Sequence, residues 1–358
     1  MKAAVFYGPN QPLRIEDVPR PSPGVDEVLV QVAACGVCHT DLHYLDHGVK
    51  TFAPPPLILG HEASGIVVEL GQGVRGRKEG ERVLLPAVVA CGACEACRRG
   101  RENICENLRM FGNNIPGAYA EYVVAPAKDC IPLPEEIPLE EGSIIADAIS
   151  TPFHAVKNRG RVRPGETVAV FGAGGLGMNV IQCAIAFGGN VIAVDVNQSK
   201  LDTAKKLGAS ATLNPKDVDR VDKAIKKLTG GGVNVAFEAI GKPETIRLAF
   251  DSVRRGGRLC QVGYCAEEVS LSVAKIMYYE IDVIGALGCP TVEYPALIDL
   301  VRRGRIEVSS MVTAKLPLDR INDAFDMLRR GEGLRSVVLP GATASSTPRE
   351  QAATHGAR

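Results

Sequence analysis

The sequence predicts an α/β protein that combines a doubly wound parallel sheet with a β-rich domain. Three observations carry this reading. From about residue 163 to 288, apolar strand runs alternate with helical patterns, the signature of a parallel sheet covered on both faces. Residues 1 to about 155 instead show short β-type runs separated by Pro/Gly turns. A glycine-rich hexapeptide, GAGGLG at 172–177, stands where the first strand of the alternating region meets its first helix. A chain of 358 residues is long enough to bury two separate cores.

In the first region the runs EVLVQVAAC, GIVVEL, RVLLPAVV and AEYVVAP read as strands. In the second, ETVAVFG is followed by the helical GLGMNVIQCAIAFG, then by NVIAVDV and SKLDTAKKLG. The alternation continues through ATLN, VDRVDKAIKKL, VNVAFEAI, PETIRLAFDSV, GRLCQVGY and IDVIGALG. Beyond 291 come two helical patterns, VEYPALIDLVRRG and INDAFDMLRRG, and a closing strand, RSVVLP. The expected layout is a β-rich domain over 1–155 completed by 290–340, with a nucleotide-type domain over 156–289 inserted. Residues 341–358, small and polar, read as a flexible tail.

Lys+Arg and Asp+Glu balance at 41 each, so no net field attracts nucleic acid or an anionic membrane. The first residues lack a signal-peptide apolar core, and no apolar run reaches the ~18 residues of a membrane span. A cytoplasmic location is the expectation, and the eleven cysteines then read as thiols and metal ligands.

GAGGLG fits G-x-G-x-x-G, a weak pattern alone but here in the right strand–loop–helix context. Gly172 permits the tight turn, Gly174 lets the backbone approach a pyrophosphate, and Gly177 lets the helix sit close to the strand. With Gly175 and Leu176 these residues frame phosphates at the N-terminus of a helix beginning near Gly177. Asp195 ends the next strand, eighteen residues after Gly177. A carboxylate there accepts ribose hydroxyls and repels a 2′-phosphate, which selects NAD over NADP. This is a Rossmann-type cofactor domain.

CGACEACRRGRENIC places Cys91, Cys94, Cys97 and Cys105 within fifteen residues. Tight x2 spacings bring thiolates around a tetrahedral zinc ion, and four thiolates leave no open position, so such a site is structural. An iron–sulfur cluster is the alternative.

CGVCHTDLH at 35–43 is equally rich in ligands. The candidates for a second, catalytic metal are Cys35, Cys38, His39, His43, His47, His61 and Glu62, and short-range spacing does not choose among them. Here the sequence resembles the zinc-containing medium-chain alcohol dehydrogenases. The likeness runs from MKAAVF to RSVVLP and rests on CGVCHTDLH, GHEASGIVVELG, the four-cysteine loop, GAGGLG with Asp195, and Arg335.

That resemblance implies a GroES-like catalytic domain beside the Rossmann domain, two zinc ions per chain, and NAD. It implies Cys38 and His61 as catalytic-zinc ligands. The third ligand is a Cys or Glu in the family's segment leading into the nucleotide domain. This chain reads GSIIADAISTPFHA there, which puts Asp147 at that position, and Glu62 matches an occasional fourth ligand. Thr40 and His43 match a proton path from the substrate hydroxyl to solvent, and Asp41 the carboxylate that steadies a ligand histidine. His39 and Arg335 match groups near the pyrophosphate, and Thr151 one packed on the nicotinamide. Lys200, Ile240 and Val262 complete the expected cofactor contacts. His47 and His154 read as ordinary surface or core histidines. Cys35, Cys130, Cys183, Cys260, Cys265 and Cys289 read as buried small hydrophobes in strand or helix patterns.

The implied reaction is reversible oxidation of a primary or secondary alcohol to an aldehyde or ketone by hydride transfer to NAD. A polyol-type dehydrogenase is the alternative, given the carboxylate ligand. A zinc-free relative of the quinone reductase type would lack both ligand sets. A non-catalytic, zinc-stabilised NAD-binding protein would need only the four-cysteine set. Tyr44, Phe52, Asn113 and Leu287 are candidates for a partly apolar substrate pocket. The apolar run IDVIGALG suits pairing with a second copy, and a homo-tetramer is favoured over a dimer.

Overall fold

The computed structural model describes residues 1–341, so most of the expected tail lies outside the described residues. Six parallel strands form the nucleotide-type sheet. Their order across it is Ala211–Leu213, Asn190–Val194, Thr167–Phe171, Val233–Glu238, Val253–Gln261 and Asp282–Gly285. The order reverses beside Thr167–Phe171, and a crevice opens at the C-terminal ends of strands at such a switch point. Thr167–Phe171 shows why this segment is a buried strand. Val168 and Val170 belong to one apolar core and Ala169 and Phe171 to another, so the strand separates two helix-covered faces.

The β-rich part is built on Glu27–Gly36, which pairs antiparallel with Glu62–Leu70 and with Tyr122–Pro126. Val28, Val30 and Val32 alternate into a third core that also holds Leu42, Tyr119 and Phe325. The closing strand, Arg335–Leu339, returns to this sheet. It pairs antiparallel with the end of Glu27–Gly36, through Val337 opposite Gly36 and Val338 opposite Cys35. Val312–Pro317 runs parallel beside it.

Some elements differ from the expectation. The helix after the glycine loop begins at Gly175, not near Gly177, and runs to Ala186. Strands Lys2–Phe6, Arg14–Asp17 and Val312–Pro317 and the helix Val273–Tyr279 gave no strong pattern: the first is a short run of four buried residues after Lys2, and each of the others buries two side chains or none. Cys265 lies in a loop and is partly exposed, its thiol facing the Glu267 carbonyl, so it is not a buried packing residue. Cys35, Cys130, Cys183, Cys260 and Cys289 are buried.

Candidate active site and metal centres

A cleft of about 660 Å³ is lined from both parts of the molecule. Of the residues singled out in the sequence, Cys38, His39, Thr40, His43, Asp147 and Thr151 line it from the β-rich side. Gly172, Gly174, Gly175, Leu176, Asp195, Lys200, Ile240, Val262 and Arg335 line the rest. Gly177 does not reach it.

The glycine loop owes its path to two contacts. Gly172 has φ +96°, and a Cβ there would stand 2.6 Å from Ile240. A Cβ on Gly177 would stand 1.9 Å from the Gly172 carbonyl oxygen, so only glycine lets the helix start this close to the strand. Asp195 holds the loop from the next strand: its carboxylate accepts from the Ala173 N–H at 2.7 Å and from the Asn197 N–H at 2.8 Å.

At and behind the opposite wall, Cys38, His61, Glu62 and Asp147 each offer a ligand atom, and all four atoms lie within 4.8 Å of one another; Cys38 and Asp147 reach the cleft itself. Cys38 precedes the short helix His39–Leu45, and Glu62 opens the strand Glu62–Leu70 directly after His61. Asp147 ends a helical turn with φ −144° and ψ −52°. Its carboxylate accepts a hydrogen bond from the Thr151 hydroxyl. His61 is buried between two carboxylates, with Nδ1 3.5 Å from Asp41 Oδ1 and Nε2 3.7 Å from Asp147 Oδ2. Asp41 is itself fixed by the Tyr119 hydroxyl, which donates to Oδ2 at 2.8 Å.

This pocket fits a cation. Both nitrogens of His61, Oδ1 of Asp41 and both oxygens of Glu62 are buried without a hydrogen-bond partner. Of these, His61 Nε2, 3.7 Å from Asp147, and the Glu62 carboxylate belong to the four-residue group, and buried polar atoms left unpaired there cost free energy unless a cation satisfies them. Burial alone would depress the His61 pKa, yet the neighbouring Asp41 and Cys38 hold it well above the usual histidine range. The surroundings demand positive charge. One thiolate, one imidazole and carboxylate oxygens form a donor set suited to zinc. Arg335 lies 3.3 Å from Glu62 Oε1 and donates to the Val37 carbonyl at 3.0 Å. Burial pushes the Glu62 carboxyl up, an effect that Arg335 opposes.

The four-cysteine loop forms a second cluster outside the cleft lining. Its sulfur atoms lie 3.5 Å (Cys94–Cys97), 3.8 Å (Cys94–Cys105) and 4.0 Å (Cys91–Cys97) apart. Those spacings bracket the roughly 3.8 Å edge of a tetrahedron with ~2.3 Å zinc–sulfur bonds, and are far longer than a disulfide. Backbone N–H groups of Ala93 and Cys94 point at the Cys91 sulfur, both at 3.4 Å, and lower its pKa to about 6. One member is thus predisposed to the thiolate form that a metal needs.

Thr40 Oγ1 lies 3.7 Å from the Cys38 sulfur. His43, one turn along the same helix, is half-buried, and burial followed by the proximity of His47 lowers its pKa. His154 is a satisfied core histidine: Nδ1 is 2.9 Å from Glu293 Oε1, and Nε2 faces the Asn103 amide at 3.4 Å.

The substrate-pocket expectation is half met. Tyr44 and Leu287 line the cleft. Phe52 is 82% exposed and does not, and Asn113 sits behind the wall, donating to the Tyr44 hydroxyl at 2.6 Å. Val49, Met110, Tyr264, Tyr294 and Leu328 line the cleft without having been singled out. They come from five separate segments, and no local pattern joins them.

Comparison with known proteins supports the geometry. The family described as "Alcohol dehydrogenase GroES-like domain" matches residues 24–135, and "Zinc-binding dehydrogenase" matches 175–303. An alcohol dehydrogenase of Geobacillus stearothermophilus is 38% identical over 341 residues, covering 95% of this chain and 99% of its own length. The chain belongs to the zinc-containing medium-chain alcohol dehydrogenase family. Within that family it is also similar to the sorbitol dehydrogenase of Bacillus subtilis (strain 168), 34% identical over 348 residues, 95% of this chain and 97% of that one. The crystal structure of the alcohol dehydrogenase of the archaeon Aeropyrum pernix superimposes with a TM-score of 0.87 at 37% identity, covering 95% of this chain and all of that chain. The GroES-like and Rossmann-like parts of the fold are therefore those of this family. Among the described residues, no helix is long and apolar enough to cross a membrane.

Proposed function

We propose that this chain is a zinc- and NAD-dependent alcohol dehydrogenase that reversibly oxidises a primary or secondary alcohol to an aldehyde or ketone. One observation carries the reading: the cluster of Cys38, His61, Glu62 and Asp147 opens, through Cys38 and Asp147, into the cleft that the glycine loop and Asp195 also line. When bound, zinc supplies Lewis acidity that lowers the alcohol's pKa, and the nicotinamide supplies the hydride acceptor.

The chain's own residues do the rest. Cys38, His61 and Asp147 hold the metal, Glu62 is a reserve ligand, and Asp41 keeps His61 in one tautomer. Thr40 receives the hydroxyl proton and His43 takes it outward, which a neutral imidazole with a depressed pKa can do at physiological pH. Gly172, Gly174, Gly175 and Leu176 make room for the pyrophosphate, and Gly177 lets the helix start close enough to the strand to hold them there. His39 and Arg335 face it, Asp195 and Lys200 meet the adenosine ribose, and Thr151, Ile240 and Val262 flank the nicotinamide half. The apolar walls keep water from the reacting atoms. Cys91, Cys94, Cys97 and Cys105 hold a second, structural zinc.

A polyol substrate is the second reading, favoured by the carboxylate of Asp147 and the likeness to a sorbitol dehydrogenase. The catalytic domain is assigned to 1–155 plus 290–340, with the cofactor domain at 156–289 inserted, which the return of Arg335–Leu339 to the β-rich sheet supports. A homo-oligomer, tetramer before dimer, is supported by exposed apolar residues around the edge strand Asp282–Gly285: Val283, Leu287, Met277 and Tyr278. Eleven free cysteines suit a reducing cytoplasm.

Zinc analysis of the purified chain, with initial rates over a panel of alcohols and polyols with NAD⁺ and NADP⁺, tests the proposal. Two zinc ions per chain and NAD⁺-linked oxidation are expected. One zinc and no turnover would support a non-catalytic binder instead.

A further inference from the structure

We propose that His47 is the outer station of the proton path, taking the proton from His43 and delivering it to solvent; this rests on the dehydrogenase reading above. The two rings meet through Nδ1 of each, 2.9 Å apart, with ring centroids 5.1 Å apart. That is hydrogen-bond distance, so one Nδ1 carries the hydrogen and the other accepts it. His43 lines the cleft and is half-buried, whereas His47 is exposed. The contact therefore leads from the reaction space to water.

His43 has no equally good exit of its own. Its Nδ1 is engaged by His47, and the Tyr264 ring packs edge-on against it with centroids 4.9 Å apart. A proton accepted at Nε2 of His43 can then leave through Nδ1. His43, transiently an imidazolium, donates its Nδ1–H to Nδ1 of His47, and His47 releases its Nε2–H to water or buffer. One proton enters and one leaves, so no charge accumulates, and His43 regains its starting tautomer by exchange with water between turnovers.

The surroundings favour a mobile proton over a fixed ion. Asp46, the acid beside His47, is already neutralised by Arg329, which donates to its two oxygens at 2.8 and 2.7 Å. His39 on the same helix and Tyr264 across the cleft are the other titratable groups near the pair. The Asp46 carboxylate is thus engaged by Arg329 rather than by the His47 ring.

His47→Gln and His47→Phe, in the full chain loaded with zinc and NAD⁺, test the idea. In weakly buffered solution near pH 7, kcat for alcohol oxidation should fall about three- to tenfold. KM for the alcohol should hold, the solvent deuterium isotope effect should rise, and added imidazole should restore the rate. Selective ¹⁵N-histidine NMR of the unloaded chain gives a readout independent of turnover: the Nδ1 signal of His43 should lose its hydrogen-bond signature in both variants. If the Phe variant melts early, the Gln variant, which keeps a polar group, carries the measurement. An active wild type whose His47→Gln variant keeps its kcat and isotope effect in weak buffer, or loses rate without response to imidazole, overturns the relay alone. A wild type that oxidises no alcohol overturns the dehydrogenase reading, and the relay falls with it.

Discussion

Asp41 and His61 form a buried pair, Oδ1 to Nδ1 at 3.5 Å, in which neither residue touches solvent. Tyr119 locks the far oxygen of Asp41, so the carboxylate can only face the imidazole. It orients His61 with Nε2 toward Cys38 and Asp147. Asp41→Asn keeps the shape and removes the charge. Zinc affinity should fall about 10- to 100-fold, measured by competition with a chromogenic chelator, with activity falling in parallel. Unchanged affinity would show that Asp41 only fills space.

Gly36 bears on the same centre from the strand below. A Cβ there would stand 2.2 Å from Glu62 Oε2 and 3.1 Å from the Glu62 Cβ, and Glu62 is fully buried. Gly36→Ala must displace Glu62, and with it Arg335 and neighbouring His61. The expected result is a loss of about 1–3 kcal/mol in stability and at least a tenfold fall in kcat. A variant that melts and turns over like the wild type would show that Glu62 can move freely.

The four-cysteine cluster predicts a separable defect. Cys97→Ser removes a buried sulfur from the proposed zinc cage and should lower the apparent melting temperature by roughly 5 °C or more, while zinc content drops by close to one ion per chain. Cofactor binding, followed by nicotinamide fluorescence, should change far less at temperatures where the chain remains folded.

Asp195 serves two ends at once. Its oxygens accept from the Ala173 and Asn197 N–H groups, so the residue proposed to discriminate against a 2′-phosphate also anchors the glycine loop. Asp195→Asn should weaken use of NAD⁺ and narrow the NAD⁺/NADP⁺ ratio of kcat/KM by about tenfold, some 1.4 kcal/mol. Asp195→Gly, which removes the anchor as well, should raise KM for both cofactors.

The pH profile has a defined sign. His43 accepts a proton only when neutral, and burial followed by His47 lowers its pKa. The acid limb of kcat for alcohol oxidation should therefore lie below the ordinary histidine value of about 6.5. Activity is retained above that limb and lost as pH falls through it. Removing His47 removes a repelling neighbour and should move the limb upward.

The sequence disclosed this site unevenly. The glycine loop and the four-cysteine run are local, because a strand–turn–helix junction and a tetrahedral thiolate cage are each made by one short stretch. Cys38, His61 and Asp147 are far apart in the chain, and only the family likeness drew them together. The substrate wall was least legible. Phe52 points away and Asn113 stands behind Tyr44, while Tyr264 and Tyr294 come from segments whose contribution depends on how the two parts pack. From sequence alone His47 reads as an ordinary histidine, because its contact with His43 depends on ring orientations that spacing does not give.

The place of Arg335–Leu339 in the β-rich sheet has a consequence for the birth of the molecule. A ribosome delivers the chain from residue 1 onward, so all six parallel strands emerge and can pair before this strand exists. The sheet that carries Cys38 and Glu62 waits for it, because Val337 and Val338 lie against Gly36 and Cys35, and Arg335 against Glu62. A nascent or prematurely ended chain that stops before residue 335 would own a finished nucleotide fold and an open-edged metal centre. Docking of this late strand is thus the event that closes the catalytic half.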